Sequence, residues 1–367
     1  MNVKIYGAGS IGNHLAHACR KKGWEVLICD RDATALARTQ AEIYPSRYRK
    51  WDDAIRLTTI EHLPNEPFDI VIIGTPPDTH LEIAEDVLQT NAPKLLLIEK
   101  PVCPPSLVKA QYVLELAKKA GTIACVGYNH TLTENTKKSE QFLAHQTIGQ
   151  PLTISAKFRE HWGGIFRAHP WISGPQDTYL GFWERGGGAS GEHSHAINIW
   201  QHFARCCGFG RVVEVSAMLD MVEEQGANYD RVCLLHVKTE QGFVGDIAQD
   251  VVTEPAQKQV RIEGSHGYIE WYCNIENGYD AVMAWDGKNA PSKEMLPKTR
   301  PDDFNNEIEH LDALLHGLNP QESPIALERG LDTMLVIAAA HLSAQHGKRV
   351  KIHYDAGYRR EALELFP

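Results

Sequence analysis

Short apolar runs alternate with amphipathic stretches along the first third of the chain. Residues 2–6 form an apolar run typical of a buried strand, and residues 10–22 repeat their apolar positions at the period of a helix. Strands that alternate with helices form parallel sheets, because parallel neighbours need a long crossover connection. The same alternation predicts further strands at 24–29, 69–74, 94–99 and 122–126 and further helices at 33–43, 79–89 and 107–120. We therefore expect an α/β domain with a doubly wound parallel sheet, a Rossmann domain, over residues 1–127.

The pattern changes near residue 127. One predicted helix, at 132–145, is followed by long segments with strand character, at 152–159, 212–219, 230–238 and 260–271. Two more helices are predicted at 305–318 and 327–346, and the second of them closes the domain. These elements predict a second, α+β domain over residues 128–367 with an open, mostly antiparallel sheet. Because such a sheet can leave one face uncovered, we expect this domain to pair copies of the chain into a homodimer or homotetramer.

A glycine-rich turn lies between the first predicted strand and the first predicted helix. Gly7, Gly9 and Gly12 have the spacing of the dinucleotide-binding fingerprint. The first glycine permits a tight turn, the second lets the backbone approach the phosphates, and the third lets helix and strand pack closely. The helix that begins at Ser10 and Ile11 adds unpaired N–H groups and a positive dipole end. The sequence therefore predicts a dinucleotide site at this turn.

The end of the second predicted strand indicates which dinucleotide is bound. Asp30 lies about 20 residues past the glycine turn, where a carboxylate accepts hydrogen bonds from the ribose hydroxyls of NAD. Arg31 follows, and its guanidinium could stack on adenine or meet a 2′-phosphate. We therefore predict NAD as the cofactor, with NADP as the alternative.

Length and charge narrow the function classes. The 367 residues suffice for two domains, and a hydrophobic content of 43% is ordinary for a globular protein. A net charge of −10 argues against a nucleic-acid partner, which would need a basic face. No apolar run approaches the about 20 residues needed to span a bilayer, and the first strand leaves no room for a signal peptide. We expect a cytoplasmic enzyme with neither a membrane nor a nucleic-acid partner.

The spacing of cysteines and histidines does not indicate disulfide or metal chemistry. None of the eight cysteines belongs to a Cys-x-x-Cys pair, and most lie in apolar patterns, so we expect buried, reduced thiols. His193 and His195, with Glu192 beside them, suggest zinc at first sight. Positions two apart on a helix point about 200° away from each other, however, so both histidines cannot easily hold one ion. No metal is predicted.

Several short motifs follow one another in an order that resembles a known family. They are the glycine turn, Gly74-Thr75-Pro76-Pro77-Asp78-Thr79-His80, Glu99-Lys100-Pro101, Val126-Gly127-Tyr128-Asn129, Gly186-Gly187-Gly188 before His195, residues 262–267, and residues 338–343 before 347–350. Together they resemble the Gfo/Idh/MocA oxidoreductases, the family of glucose–fructose oxidoreductase, inositol dehydrogenase and the rhizopine-catabolism proteins. The resemblance extends over nearly the whole chain.

The resemblance implies an activity and a position for the site. It implies an NAD-dependent dehydrogenase or reductase that transfers a hydride between nicotinamide and a hydroxyl or carbonyl of a sugar, sugar acid, amino sugar or cyclitol. The reaction would occur in the cleft between the two domains, with the second domain, residues 128–367, binding the substrate. It also implies that Thr75, Pro76, His80 and Glu99 lie along the cofactor.

Oxidation of a secondary alcohol needs a base for the hydroxyl proton and a cation for the developing alkoxide. Lys100 lies at the end of a predicted central strand, the edge at which open α/β sheets bind ligands, and Pro101 restricts its backbone to an extended conformation. We predict Lys100 as the residue that stabilises the alkoxide. His195 is the predicted general acid/base, with an orienting or core histidine as the alternative.

The surroundings of His195 are predicted from a helix that is capped by Ser190 and runs to about residue 207. On such a helix Glu192 and Asn198 share a face with His195 and could contact the imidazole or the substrate, and His202 lies further along the same face. In family members an Asp or Asn usually precedes the catalytic histidine by four positions. Here the nearest acid, Glu192, precedes it by three, so its role stays open.

Other predicted contacts lie outside the catalytic pair. Asn129 could reach the cofactor amide or a substrate hydroxyl, with a capping role in the domain linker as the alternative. Arg159, Trp162 and Arg167 combine guanidinium forks with an aromatic face, which suits an anionic sugar. Solvated charges and a tryptophan in the core or an oligomer interface are the alternative.

Two other functions stay open at this level. One is a redox-neutral enzyme that keeps NAD tightly bound, and the other is a non-catalytic regulatory protein that binds a dinucleotide. The presence of both Lys100 and His195 disfavours the second.

Overall fold

The computed structural model describes residues 1–167, 169 and 171–367, and within them six parallel strands form the N-terminal sheet. The strands are β1 (Asn2–Tyr6), β2 (Glu25–Asp30), β3 (Ile55–Thr59), β4 (Ile70–Ile73), β5 (Leu95–Ile98) and β6 (Ile123–Val126). The helices that connect them are α1 (Ser10–Lys21), α2 (Ala33–Arg38), α3 (Tyr44–Tyr48), α4 (Pro77–Thr90) and α5 (Ala110–Ala120). The strand order β3-β2-β1-β4-β5-β6 is that of a Rossmann sheet, as predicted.

Two elements of this sheet region differ from the prediction. Strand β3 was not predicted, because it is a partly exposed edge strand with a polar sequence. The helix predicted at 33–43 is α2 followed by one π-helical turn, Thr39–Ile43, that continues into α3. The π turn shifts the following residues, among them Arg47, around the helix axis.

The strand order determines where a ligand can bind. In an open α/β sheet the crevice lies at the carboxyl ends of the strands where the order reverses, here between β1 and β4. The loops that leave four neighbouring strands at this edge begin at Gly7, Gly74, Glu99 and Gly127. The fold therefore brings four of the sequence motifs to one edge.

Ten further strands of the described chain form the second sheet, in the order β14-β13-β12-β11-β7-β10-β9-β8-β15-β16. They are β7 (Pro151–Arg159), β8 (Val212–Glu224), β9 (Ala227–Thr239), β10 (Val244–Asp250), β11 (Gln257–Gly264), β12 (Tyr268–Glu276), β13 (Tyr279–Trp285), β14 (Ser292–Pro297), β15 (Arg349–Ile352) and β16 (Leu363–Phe366). The helices of this region are α6 (Glu134–Ala144), α7 (Gly163–Arg167), α8 (Gly188–Glu192), α9 (His195–Cys206), α10 (Arg300–Leu315) and α11 (Leu327–His346). Only β7 and β10 pair in parallel, so the sheet is mostly antiparallel, as predicted.

Two predicted elements of this region are wrong in their extent. The strand predicted at 260–271 is the hairpin of β11 and β12, and it turns at Gly267, where a side chain would collide with the carbonyl oxygen of Trp285. The single helix predicted from Ser190 to about residue 207 is two helices, α8 and α9, separated at His193. Ser190 does not cap either helix, because its side chain is buried against Asp230.

One face of the second sheet is packed and the other is open. Helices α9 and α11 lie on the packed face, where Trp200 is fully buried and donates a hydrogen bond to the carbonyl of Ile154. The chain segment before α11 returns to the first sheet, where the Val126 N–H donates to the carbonyl of Ile325 at 2.8 Å. On the open face, Met218 and Leu234 are opposite each other on β8 and β9 and are exposed by 78% and 41%.

Two properties predicted from composition can be compared with the structure. Across the described residues, every helix is too short or too polar to cross a membrane. Six of the eight cysteines are buried, but Cys206 is exposed and Cys207 is half-buried, so the expectation of buried thiols fails at the end of α9.

Candidate active site

The glycine turn forms an open cradle at the start of α1. Gly7 has a φ of +105°, and a Cβ there would lie 2.7 Å from the carbonyl oxygen of Gly74. A Cβ at Gly9 would meet no atom of the described chain within 4 Å, so the space in front of this residue is free for a ligand. The residue before α1 contributes no side-chain cap, which leaves the first N–H groups available. These features fit the pyrophosphate of a dinucleotide.

Asp30 lies beside this cradle. Its carboxylate accepts hydrogen bonds from the N–H of Ala8 at 2.8 Å and from the N–H of Asp32 at 3.0 Å. The side chain is therefore held at the carboxyl end of β2, where an adenosine ribose would lie. Arg31 is exposed.

A cation that sequence reasoning missed lies at the N-terminus of α1. Arg47 donates from its two Nη atoms to the carbonyl oxygen and the Oγ of Ser10, at 2.8 and 2.7 Å. Arg300, the first residue of α10, lines the same cavity. No spacing in the sequence could indicate these residues, because the π turn after α2 and the packing of α10 on α1 bring them there.

A cleft of about 740 Å³ adjoins the cradle. Seven predicted site residues line it: Ser10, Ile11, Glu99, Lys100, Asn129, Glu192 and His195. A smaller cavity of about 340 Å³ shares Lys100, Glu192 and the start of α1 with it and extends to Gly74, Thr75 and Pro76. The structure therefore brings half of the predicted cofactor and substrate residues into two cavities that share part of their lining.

His80 lies outside these spaces. It is fully buried, and its two ring nitrogens lie 2.7 Å from the carbonyl oxygen of Thr75 and 3.1 Å from that of Pro101. Burial lowers the pKa of His80 to about 4, so the ring is neutral. The residue links the loops that follow β4 and β5 behind the cofactor edge.

Lys100 is paired with Glu192. Its Nζ donates to the carbonyl oxygen of Glu192 at 2.8 Å and to the Oε2 of the same residue at 3.1 Å. Burial alone would raise the pKa of Glu192, but the charges of Lys100 and His193 and the hydrogen bond from Lys100 outweigh it and lower the pKa. The carboxylate is therefore ionised and fixes the lysine at the cleft. The Lys100–Pro101 peptide bond is cis.

His195 is the first residue of α9 and contacts two other aromatic rings. Its ring centroid lies 4.4 Å from that of His130 and 5.4 Å from that of Tyr128. Burial lowers the pKa of His195 well below its ordinary value of 6.5, and the neighbouring His130 and Lys100 lower it further. A neutral imidazole can accept a proton, so His195 is suited to act as a base.

A second ion pair lines the cleft and was also missed from the sequence. Lys258 on β11 and Glu160, just after β7, approach to 2.5 Å. Burial disfavours both charges, but the contact between them raises the pKa of Lys258 and lowers that of Glu160. His193 lines the same wall, and burial lowers its pKa to about 4. The cleft thus contains cationic donors, anionic acceptors and neutral imidazoles.

Asn129 and Glu99 line the cleft and belong to a buried polar group that includes Glu307. Asn129 donates from Nδ2 to the Oε2 of Glu307 at 3.5 Å. Burial raises the pKa of Glu99 to about 7, and burial together with the charge of Glu99 raises that of Glu307 well above its ordinary value. A side chain at Gly127 would lie 2.7 Å from the Oε1 of Glu99, so this glycine is needed to accommodate the carboxylate.

Three predicted substrate-binding residues are not among the described residues that line the cleft. Arg159 forms an ion pair with the buried Asp250, with Nε 2.5 Å from the carboxylate. Trp162 is 8% exposed and packs against Tyr229, with ring centroids 4.8 Å apart. Arg167 is exposed at the end of α7.

The residues of the predicted helix face around His195 line two different cavities. Asn198 donates to the Oγ1 of Thr333 at 3.2 Å, and His202 lies 2.6 Å from the carboxylate of Glu140. Both line a separate cavity, because the break between α8 and α9 turns this face of α9 away from the cleft. Only Glu192 and His195 of the predicted face line the cleft.

Comparison with known proteins gives the class. Residues 1–128 match the model of an oxidoreductase family with an NAD-binding Rossmann fold, so the protein is an NAD-binding oxidoreductase. Residues 136–270 match the model of the GFO/IDH/MocA C-terminal domain. The chain belongs to the Gfo/Idh/MocA family, which confirms the resemblance seen in its motifs. Among curated proteins, no sequence matches it.

Solved structures share the whole fold at low sequence identity. An oxidoreductase from Agrobacterium radiobacter, solved with NAD⁺, L-tartaric acid and magnesium, has a TM-score of 0.75 and 20% identity, covering 96% of this chain and 98% of that one. The aldose-aldose oxidoreductase from Caulobacter crescentus, complexed with glycerol, has a TM-score of 0.75 and 18% identity, covering 96% and 99%. A putative myo-inositol dehydrogenase from Sinorhizobium meliloti has a TM-score of 0.71 and 19% identity, covering 96% and 99%.

Proposed function

We propose that the protein transfers a hydride between NAD and a secondary hydroxyl or the corresponding carbonyl of a neutral polyhydroxylated substrate, a sugar or a cyclitol. The observation that carries this proposal is that Lys100 and a neutral His195 line one cleft that adjoins the dinucleotide cradle. That combination supplies the cation and the base that alcohol oxidation requires. It argues against a purely regulatory dinucleotide-binding protein.

Bound NAD would supply the hydride acceptor. The turn from Gly7 to Gly12, with Arg47 beside Ser10, would hold the pyrophosphate, and Asp30 would hold the adenosine ribose. In the oxidation direction, the substrate hydroxyl gives its proton to the imidazole of His195 while Lys100 donates a hydrogen bond to the same oxygen. In the reduction direction the two residues act in reverse.

The charge balance of the cleft supports a neutral substrate. Lys100 is compensated by Glu192 and Lys258 by Glu160, so neither lysine has a free charge to offer an anion. Two further cations, Arg47 and Arg300, line the same cleft, and Arg47 is at the N-terminus of α1, where its charge would meet the cofactor pyrophosphate. Paired donors and acceptors that line one cleft match vicinal hydroxyl groups, each of which both donates and accepts. The glycerol named for one structural neighbour is a neutral polyol, whereas the L-tartaric acid named for another is hydroxylated but anionic.

A screen of cofactor reduction tests the proposal. Purified protein would be given NAD and a panel of sugars, cyclitols and matched uronates, and the formation of NADH would be followed by absorbance. We expect turnover with at least one neutral polyol and lower kcat/KM for its uronate, with little dependence on salt. Higher kcat/KM for uronates, weakening as salt rises, would favour the anionic substrate instead.

A second candidate function is a redox-neutral enzyme that retains NAD, and one observation favours it. The smaller cavity is also lined by Ile165, Ile172 and Tyr179, and Trp171 stacks on Arg38 with 4.4 Å between guanidinium carbon and ring centroid. Contacts from these residues to bound NAD would slow its release. NAD that remains after exhaustive dialysis, with no net NADH formed, would favour this function.

A further inference from the structure

A group of metal-ligand side chains lies outside the cleft, between helices α6 and α9. Glu140 comes from α6, and His202 and Cys206 come from α9. The two residues of α9 are four positions apart, so their side chains are on one face of the helix. One ligand atom from each residue lies within 4.8 Å of the other two.

The distances fit a four-coordinate ion. The Sγ of Cys206 lies 3.6 Å from the Nε2 of His202. Zinc bonds of about 2.0 to 2.3 Å at tetrahedral angles separate a nitrogen and a sulfur ligand by about 3.6 Å, and a nitrogen and an oxygen ligand by about 3.4 Å. The carboxylate of Glu140 lies 2.6 Å from the same Nε2, so it would withdraw by about 0.8 Å on metal binding. Its side chain is 37% exposed and free to do so.

We propose that Glu140, His202 and Cys206 bind a divalent transition-metal ion of the zinc class. The set combines a thiolate, an imidazole and a carboxylate, which are the three ligand types that zinc prefers in proteins. The ion displaces the protons of the thiol and of the imidazole, and its two positive charges are balanced by the thiolate and the carboxylate. A bound ion would tie α6 to α9.

The cavity beside the three side chains leaves room for a fourth ligand of the ion. It has a volume of about 410 Å³, and all three ligands line it together with Gln201 and Arg329. Gln201 is 7% exposed, and its Nε2 has no hydrogen-bond partner among residues 1–167, 169 and 171–367, although its Oε1 accepts from Thr333 at 2.9 Å. The Nη1 of Arg329 is likewise buried without a partner in the described chain. Two unpaired donors at this cavity suit a water or an anion bound to the ion.

The site is separate from the hydride-transfer cleft. Its cavity shares no described lining residue with the cleft that contains Lys100 and His195. The two are nevertheless on one element, because α9 begins at His195 and carries His202 and Cys206 in its last turns. Metal binding at this site can therefore be measured without assuming that the enzyme is active.

Cobalt(II) is the probe for the test, because thiolate-bound cobalt gives a charge-transfer absorption that zinc displaces. Reduced full-length protein without a histidine tag would be titrated with Co²⁺ and then with Zn²⁺. We expect one equivalent with a cobalt–thiolate band in the wild type and loss of that band in Cys206→Ser. His202→Gln should weaken affinity by more than about 100-fold, because loss of even an outer contact costs 10- to 100-fold.

The controls separate this site from its neighbours. Cys207→Ser changes the adjacent thiol, and His195→Asn changes a cleft histidine; both should keep the band and the affinity. As a second readout, Zn²⁺ should slow alkylation of the exposed Cys206 in the wild type but not in His202→Gln. Circular dichroism would show that each variant is folded. A band that persists in folded Cys206→Ser, or no binding at one equivalent in the wild type, would overturn the proposal.

Discussion

The Nζ of Lys100 lies 3.1 Å from the Oε2 of Glu192, although 92 residues separate them in the chain. The contact joins the loop after β5 to the end of α8, and with it the cofactor edge to the second sheet region. Family members usually carry an Asp or Asn four residues before the histidine, whereas this chain has Gly191 there and Glu192 three residues before it. We infer that Glu192 positions Lys100 for the reacting oxygen.

Glu192→Gln is expected to lower kcat while leaving NAD binding nearly unchanged. The amide keeps the shape but removes the charge that holds the lysine, and a small misplacement of a catalytic group can cost about 10- to 100-fold in rate. The measurements are kcat, KM and the Kd of NAD. Glu184→Gln, which changes an exposed carboxylate nearby, is the matched control. Unchanged kcat in Glu192→Gln would remove this residue from the positioning of Lys100.

The pH profile of alcohol oxidation should report a base of low pKa. His195 acts as a base only when neutral, and its pKa is lowered well below 6.5, so activity is retained as the pH falls through 6.5 and is lost only at lower pH. His195→Asn should lower kcat/KM by about 10²- to 10⁴-fold. Burial raises the pKa of Glu99 to about 7, so the profile is also measured for Glu99→Gln, which removes the contribution of this carboxyl group. A decline at 6.5 that survives in Glu99→Gln contradicts the neutral state of His195.

Cofactor choice should depend on Asp30. The wild type is expected to bind NAD more tightly than NADP, because the carboxylate repels a 2′-phosphate. Asp30→Ser should lower the ratio of the NADP dissociation constant to the NAD dissociation constant by about fivefold. The repulsion between two unit charges about 4 Å apart in water costs about 1 kcal/mol. Both dissociation constants would be measured for this variant and for Asp53→Asn, which removes an exposed charge elsewhere. NADP binding equal to that of NAD in the wild type would mean that Arg31 dominates.

The buried carboxyl group of Glu307 should make the cofactor-free protein less stable as the pH rises. Its pKa is raised in the folded state, so the folded protein holds a proton that the unfolded chain has released, and the free energy of unfolding falls with increasing pH. The contribution is at most about 1.4 kcal/mol per pH unit. Glu307→Gln should flatten this dependence, whereas Glu309→Gln on the exposed side of α10 should not. Denaturant unfolding from pH 5 to 9 measures this pH dependence of the free energy of unfolding. If the free energy changes with pH in the same way in the wild type and in Glu307→Gln, the pKa of Glu307 is not raised.

The open face of the second sheet is expected to mediate self-association. Met218 is 78% exposed beside Leu234, and an apolar pair on an uncovered antiparallel sheet favours a symmetric contact. Met218→Asp should raise the dissociation constant of the oligomer by at least about 100-fold, because a carboxylate would be buried without a partner. Light scattering after size exclusion gives the mass. Val108→Asp, at another exposed apolar position, is the control. A monomeric wild type would exclude the interface.

The elements that could be predicted from the sequence are those stabilised by their own pattern. Strand β1 and helix α11 have the bounds that periodicity predicts, because long regular patterns of apolar residues leave little choice of conformation. The polar edge strand β3 and the break at His193 could not be predicted in this way. The first depends on a neighbouring strand for its pairing, and the second on the packing of α8 against β9.

Some residues of the site could likewise be predicted from the sequence, and others could not. The glycine turn, Asp30 and Lys100 follow directly from sequence, because each lies at the carboxyl end of a Rossmann strand and the topology brings those ends together. Arg47, Glu160 and Lys258 could only be found in the tertiary structure, since nothing in their spacing distinguishes them from surface charges. Arg159 is the opposite case: the sequence predicted a substrate contact, but in the structure its charge is paired with Asp250. A charged side chain gains its role from the partner that compensates it, and that partner is chosen by the packing of distant segments.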